Sequence, residues 1–144
     1  MIKIDFPKPK FRTKSEAGKD WIFDEIRKKW IQITPEEWVR QNFIQWLIQR
    51  KKVPSALIAV EKEIKLGELK KRCDIVVYKE VAPWMIIECK EMEVTLDEAV
   101  MKQILNYNIS LRVPYLIITN GRDTFAFELA DGKIQTLHEI PNFM

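Results

Sequence analysis

The sequence predicts an α/β domain in which a mixed β-sheet carries helices packed on it. Three observations lead there. Two apolar runs rich in β-branched residues, within Arg72–Tyr78 and Trp84–Lys90, flank the polar interruption Lys79–Pro83 and read as a hairpin of buried strands. A capped helix signal precedes that hairpin and a second helical pattern follows it. A last pair of apolar runs, Pro114–Thr119 and Thr124–Leu129, then brackets the turn pair Asn120-Gly121.

Composition bounds what such a domain can be. At 144 residues and 47% hydrophobic, the chain suits one domain with its own core. Its formal charge is only +3, yet basic residues cluster at Lys8 to Lys14, Arg27 to Lys29, Arg50 to Lys52 and Lys70 to Arg72. Such clusters suit phosphate contacts or, equally, solvated loops. Lys70, Lys71 and Arg72 gain weight because they lead directly into Asp74. The two cysteines, Cys73 and Cys89, form no CxxC pair and read as small core residues of reduced strands. Met1 to Asp20 is charged throughout, unlike a signal peptide, and no apolar run is long enough to span a bilayer. A soluble, cytoplasmic protein without a membrane partner is expected.

Residues 1–20, with prolines, many lysines and no periodicity, read as an extended and partly mobile arm, leaving 21–144 as the single domain. Trp21 to Ile33, apolar at both ends and polar at its centre, suits a small hairpin or lead-in loop. Thr34-Pro35-Glu36-Glu37 is a helix start: a capping threonine, proline at the first helical position, glutamate at the third. The helix is expected to reach about Lys51, with Val39, Phe43, Trp46, Leu47 and Arg50 on its core side and Pro54 closing it. Ser55–Val60 and Glu63–Leu66 read as strands, and Gly67-Glu68 turns the chain toward the central hairpin. A second helix is expected over about Leu96–Ser110, with Leu96, Ala99, Val100, Gln103, Ile104 and Tyr107 on one side. It would connect Trp84–Ile87 to Tyr115–Thr119 as a parallel crossover. Asp131-Gly132 is a weak turn signal.

Chemistry concentrates in the hairpin. Side chains alternate faces along a strand, so Glu88 and Lys90 project to one side while Ile87 and Cys89 project to the other. A carboxylate and an ammonium on one face of an apolar strand are costly to bury without partners. Asp74, on the neighbouring strand, is the third member.

Asp74, then Glu88-Cys89-Lys90, after a helix bearing an acidic residue, resembles the pattern of the PD-(D/E)xK nuclease superfamily. Within it the chain is similar to the N-terminal nuclease domain of the type I restriction enzyme R subunit. The stretches that carry the resemblance are Thr34–Gln41, Lys71–Tyr78, Ile86–Lys90, Gln103–Tyr107, and Val113–Tyr115 through Thr119–Gly121. A D…ExK trio alone recurs by chance. The trio followed by a glutamine, a tyrosine four residues on and a VPY…TNG strand is much more specific. The resemblance covers about Phe23 to Phe127. It implies a restriction-endonuclease-like core in αβββαβ order, preceded by an N-terminal extension or hairpin, and an endonuclease acting on DNA.

Hydrolysing a phosphodiester needs a deprotonated water and stabilisation of a phosphorane-like transition state, and a hard divalent cation held by carboxylates supplies both. Mg²⁺, with Mn²⁺ as a substitute, keeps several waters, so two carboxylates and a backbone carbonyl suffice from the protein. Asp74, Glu88 and the Cys89 carbonyl fit that ligand set, while Lys90 would orient or help deprotonate the attacking water. These roles match those the superfamily assigns to its D, E and K, making Asp74, Glu88 and Lys90 the candidate catalytic residues. Glu37 is a candidate additional ligand or supporting residue, Glu36 beside it is the alternative, and Glu37 could equally serve only the helix cap. Gln103 and Tyr107 are candidates to contact phosphate or orient Lys90. Lys70, Lys71, Arg72 and Arg40 are the candidate nucleic-acid contacts. The plainer structural readings are an ion pair across the hairpin and ordinary helix packing. Trp38 and Trp46 read as core, and His138 has no partner in sequence.

The chain departs from the pattern at Cys73, where the superfamily has the proline that shapes the strand entry and is no ligand. It also contains no GxxxxGK[ST] loop and no motor domain. A stand-alone domain and a part of a multi-protein restriction system both remain open. Cutting both strands calls for two active sites, so a homodimer would be in keeping. The competing classes are a catalytically silent nucleic-acid-binding module that keeps the fold and a protein-interaction domain.

Overall fold

The computed structural model describes residues 1–8 and 10–144; Pro9, within the expected arm, lies outside the described residues. In chain order the elements are β1 (Thr13–Glu16), β2 (Lys19–Asp24), β3 (Lys29–Gln32), α1 (Pro35–Gln49), a short helical turn (Ser55–Leu57), β4 (Ile58–Leu66), β5 (Leu69–Lys79), β6 (Ala82–Cys89), α2 (Glu98–Ile109), β7 (Tyr115–Thr119), β8 (Thr124–Ala130) and β9 (Lys133–Leu137). They form a three-stranded sheet, β1-β2-β3, and a six-stranded sheet ordered β4-β5-β6-β7-β8-β9. The larger sheet is mixed. β6 and β7 run parallel, in register from Met85↔Tyr115 to Cys89↔Thr119, and its other neighbours are antiparallel.

The alternation of apolar residues along the central strands divides the core into two layers. Ile75, Val77, Met85, Ile87 and Ile117 pack with Val39, Phe43, Ile44 and Leu47 of α1. Val76, Ile86, Leu116 and Ile118 pack on the other side with Val100, Met101, Ile104 and Leu105 of α2. Fully burying each such aliphatic side chain contributes roughly 1.5–3 kcal/mol, and here a sheet covered on both faces buries many of them. The α/β class, mixed sheet and parallel crossover are as the sequence predicts.

Differences lie at the element edges. The N-terminal hairpin is a three-stranded meander that begins at Thr13, inside the stretch read as an arm. Earlier still, the Ile2 amide donates to the Thr124 carbonyl at 2.8 Å, and the Phe6 ring meets Phe43 edge-on at 6.1 Å. α1 stops at Gln49, and Arg50, expected on the core side, is the exposed residue that caps its end. The two strands expected over 55–66 are one nine-residue strand, β4, after the helical turn. The central turn is tighter than Lys79–Pro83: Glu80 and Val81 both adopt positive φ, 53° and 58°, the geometry that matches strand twist in a two-residue hairpin. On α2, Ala99, Gln103 and Tyr107 are exposed rather than packed. At the turn after β7, a Cβ on Gly121 would stand 3.3 Å from Val39, and its φ is 88°, so glycine is required twice over.

Candidate active site

The site begins with a local irregularity. Residues two apart on a strand share a face, yet Cys73 packs in the α2-side core and Ile75 in the α1-side core. The alternation therefore slips at Asp74. Across the β4–β5 ladder, the pairs Val60↔Ile75 and Lys62↔Cys73 put Glu61 opposite Asp74, and Glu61 has a φ of 51°. A non-glycine residue in the left-handed region inside a strand is strained, and such strain concentrates at functional sites. On the other side, one step past the pair Ile75↔Ile87, Asp74 comes opposite Glu88. The Cys89 amide donates to Asp74 Oδ2 at 2.8 Å, which fixes the carboxylate across the two strands.

Glu88 follows the alternation and points with Lys90 toward α2. Both line a cleft of about 400 Å³ together with Lys71, Gln103 and Tyr107, and Val94, Val100 and Ile104 form its apolar wall. A cavity of similar volume, about 430 Å³, lies between the end of α2 and the β8–β9 turn, lined by Ile109, Arg112 and Asp131 among others, and none of the predicted residues reaches it. Glu88 is 8% exposed and its Oε1 accepts from Lys71 Nζ. Burial raises its carboxyl from the ordinary 4.5 to about 7, and the charge of Asp74 adds to the rise, while Lys71 opposes it. Burial likewise raises the Cys73 thiol to about 11 and the Cys89 thiol well above its usual value, so both are inert core groups. The Lys90 amide donates to the Thr119 carbonyl at 2.9 Å, which holds the strand end in place. Among the described residues, the Lys90 ammonium has no ion-pair or hydrogen-bond partner. Tyr107, exposed on α2, lies with its ring 5.1 Å below the Lys71 ammonium.

On the α1 side Asp74 meets a chain of buried charges. Arg40, 4% exposed, donates through Nη2 to Asp74 Oδ1 at 3.2 Å and through Nη1 to Glu37 Oε1 at 2.6 Å. Arg27, from the turn between β2 and β3, donates to Glu37 Oε2 at 2.9 Å, to Asp24 Oδ2 at 2.6 Å and to Glu61 Oε2 at 3.3 Å. Gln41 completes the set by donating to both Asp24 and Glu37. Thr34 Oγ1 accepts from the Glu37 amide at 3.1 Å, as the cap signal predicts. The Glu37 carboxylate, however, does not return to the cap. It serves the two arginines. Glu36 stands 3.8 Å from Arg40, its carboxyl raised by burial and by Asp74.

The structure thus gathers Glu88, Lys90, Gln103 and Tyr107 around one cleft, sets Asp74 opposite Glu88 across the strands, and joins Glu37 to Asp74 only through Arg40. Arg40 itself is not a surface contact for nucleic acid: burial and two carboxylates occupy its guanidinium. Lys71 is likewise turned inward onto Glu88, whereas Lys70 and Arg72 are exposed. His138 is exposed and distant in register from every site strand. Sequence reasoning missed Arg27, Asp24 and Glu61. The pairs Arg27–Glu61 and Arg40–Asp74 each span 34 residues, so no local spacing signals them.

No helix among the described residues is long and apolar enough to cross a membrane. Neither a curated protein nor a solved structure matches the chain. Residues 35–141, from the first residue of α1 to beyond β9, do match a family, and with that match added to the sheet, the crossover and the strand pair bearing Asp74 and Glu88, the chain belongs to the type I restriction enzyme R protein N-terminus family.

Proposed function

We propose that this domain is a divalent-metal-dependent deoxyribonuclease whose centre is the pair Asp74 and Glu88. The observation that carries the reading is their juxtaposition across β5 and β6, with Glu88 and an unpartnered Lys90 lining an open cleft. Burial first and the charge of Asp74 second raise the Glu88 carboxyl to about 7, and a cation held by the two carboxylates would offset both effects. Among the described residues there is no cluster of three or more His, Cys, Asp or Glu side chains arranged for a metal. Two hard carboxylates with the Cys89 carbonyl fit Mg²⁺ or Mn²⁺, which retain waters, better than they fit a softer ion. Bound there, the metal would polarise the phosphate and acidify a water.

Each protein group then has a defined task. Asp74 and Glu88 hold the ion. Lys90 orients the attacking water and balances charge growing on the phosphate, since its ammonium has no competing partner. Gln103 and Tyr107 face the same cleft and donate to phosphate oxygens. Lys71 shifts from Glu88 to the DNA, where Lys70 and Arg72 already lie exposed to track the backbone. Partner subunits of a restriction system belong to the same proposal. The test is cleavage of supercoiled plasmid with Mg²⁺ or Mn²⁺. Wild type should nick or linearise it, and Lys90→Ala should lose about 10²-fold or more in rate. Equal rates, or no cleavage by the wild type across pH and salt, would sink the reading.

One observation favours a second reading. Arg40 on Asp74 and Lys71 on Glu88 already balance both carboxylates without a metal. A silent nucleic-acid-binding module would keep such a site as structure. Salt-dependent DNA binding without turnover, unchanged in Asp74→Ala, would select it.

A further inference from the structure

The family match begins at Pro35, and the residues before it differ from the rest in charge. Positions 1–33 carry nine basic and five acidic side chains, net +4, whereas 34–144 carry fifteen and sixteen, net −1. The Asp24–Arg27 pair is spent internally, so the excess is exposed. It is also ordered. The Arg12 guanidinium lies 4.7 Å from the Phe23 ring centre and 5.7 Å from that of Trp30, and the Lys14 ammonium lies 4.5 Å from Trp30. The pairs Lys14↔Trp21 and Phe23↔Trp30 fix these rings in the meander. Aromatic faces hold two long cationic side chains in defined positions while both residues stay exposed, Lys14 with the exposed Glu16 3.1 Å from its ammonium, so less rotamer entropy is lost when an anion binds.

A second feature adjoins them. A groove of about 80 Å³ runs between this segment and α1, lined by Lys10, Arg12, Phe23, Gln41, Gln45 and Gln49, with Glu25 its sole carboxylate. Its helical wall starts one residue after Arg40, the residue that holds Asp74, and extends about 12 Å along α1 at the helical rise, the axial length of about three to four nucleotides of a B-DNA strand. Gln41 is spent on Asp24 and Glu37 and the Gln49 amide donates to Gln45 Oε1, so the groove's cations, Lys10 and Arg12, are what suit a phosphodiester backbone.

We propose that the Lys10–Arg12 groove and the neighbouring Lys14 form an accessory contact for the DNA backbone, with its cations supplied from outside the matched stretch and its helical wall from α1. The proposal rests on DNA being the partner of the active site and adds where a flanking strand is held. The test is duplex-oligonucleotide binding by fluorescence anisotropy in excess chelator over a salt series. It uses the full chain, the double variant Arg12→Gln/Lys14→Gln, and Gln45→Glu, which places a like charge in the groove on a helix-compatible residue. Each variant should bind about tenfold more weakly at low salt, and the double variant's logarithmic salt slope should shrink by about two. Wild-type affinity in both variants overturns the proposal, as does wild-type protein that ignores duplex yet binds a polyglutamate peptide. Because binding is read without metal, a chain that never cleaves but shows the expected pattern refutes the nuclease reading alone.

Discussion

Asp24 and Glu88 are both buried carboxylates, 0% and 8% exposed, and they are held in opposite ways. Burial pushes the Asp24 carboxyl up, but the Arg27 amide and guanidinium and the Gln41 amide outweigh it, and the group stays ionised below its ordinary value. Burial pushes the Glu88 carboxyl up and the Asp74 carboxylate across the strand adds to it, and with Lys71 as its one cationic partner it rises to about 7. A group whose charge is fully satisfied is structure. A group left short of positive charge at the floor of an open cleft is poised for a ligand.

The comparison breaks first at Arg40, which joins the two halves. Arg40→Ala should cost about 3–5 kcal/mol in urea unfolding, because Glu37 and Asp74 lose a shared buried cation. A loss below about 1 kcal/mol would mean that the network is incidental.

Asp24→Asn should cost about 1.5–3 kcal/mol at neutral pH, the range for charge-assisted hydrogen bonds. A depressed folded value stabilises above the unfolded value of 3.8 and is lost as pH falls through the folded one. Wild type and variant should therefore converge below about pH 4. Glu88→Gln should act with the opposite sign. A folded value above the unfolded 4.5 means that ionisation opposes folding once pH exceeds 4.5. At about pH 8 without metal the variant should be more stable by on the order of 1–2 kcal/mol, an advantage gone by about pH 4. Equal pH slopes in the two variants would erase the distinction between them. The smallest structural effects belong to the cleft rim. Gln103→Ala and Tyr107→Phe should leave stability within about 0.5 kcal/mol while slowing cleavage severalfold.

Much of this was legible in the sequence where residue spacing alone sets geometry. The hairpin over 72–90, the Thr34 cap and the Asn120-Gly121 turn rest on local rules, and all three are present. The facing of Glu88 and Lys90 followed from strand alternation. Asp74 did not obey that rule, since the slip opposite Glu61 redirects it toward Arg40, and a backbone irregularity of this kind leaves no mark in composition. β1 and β9 were missed because TKSE is exposed throughout and KIQTL nearly so, giving no apolar alternation to read. The C-terminal tail shows the same limit: Phe143 packs edge-on to Trp84 at 5.6 Å, and Lys79 Nζ donates to its carbonyl at 2.6 Å, contacts with no local sequence signal.

The central claim is that Asp74 and Glu88 together hold a divalent ion. Calorimetric titration of the full chain with Mn²⁺ tests it most directly. Wild type should give saturable binding at one site, and Asp74→Asn and Glu88→Gln should each weaken it by about 10²-fold or abolish it. Identical heats in all three proteins, or none in the wild type at about pH 8, would contradict it.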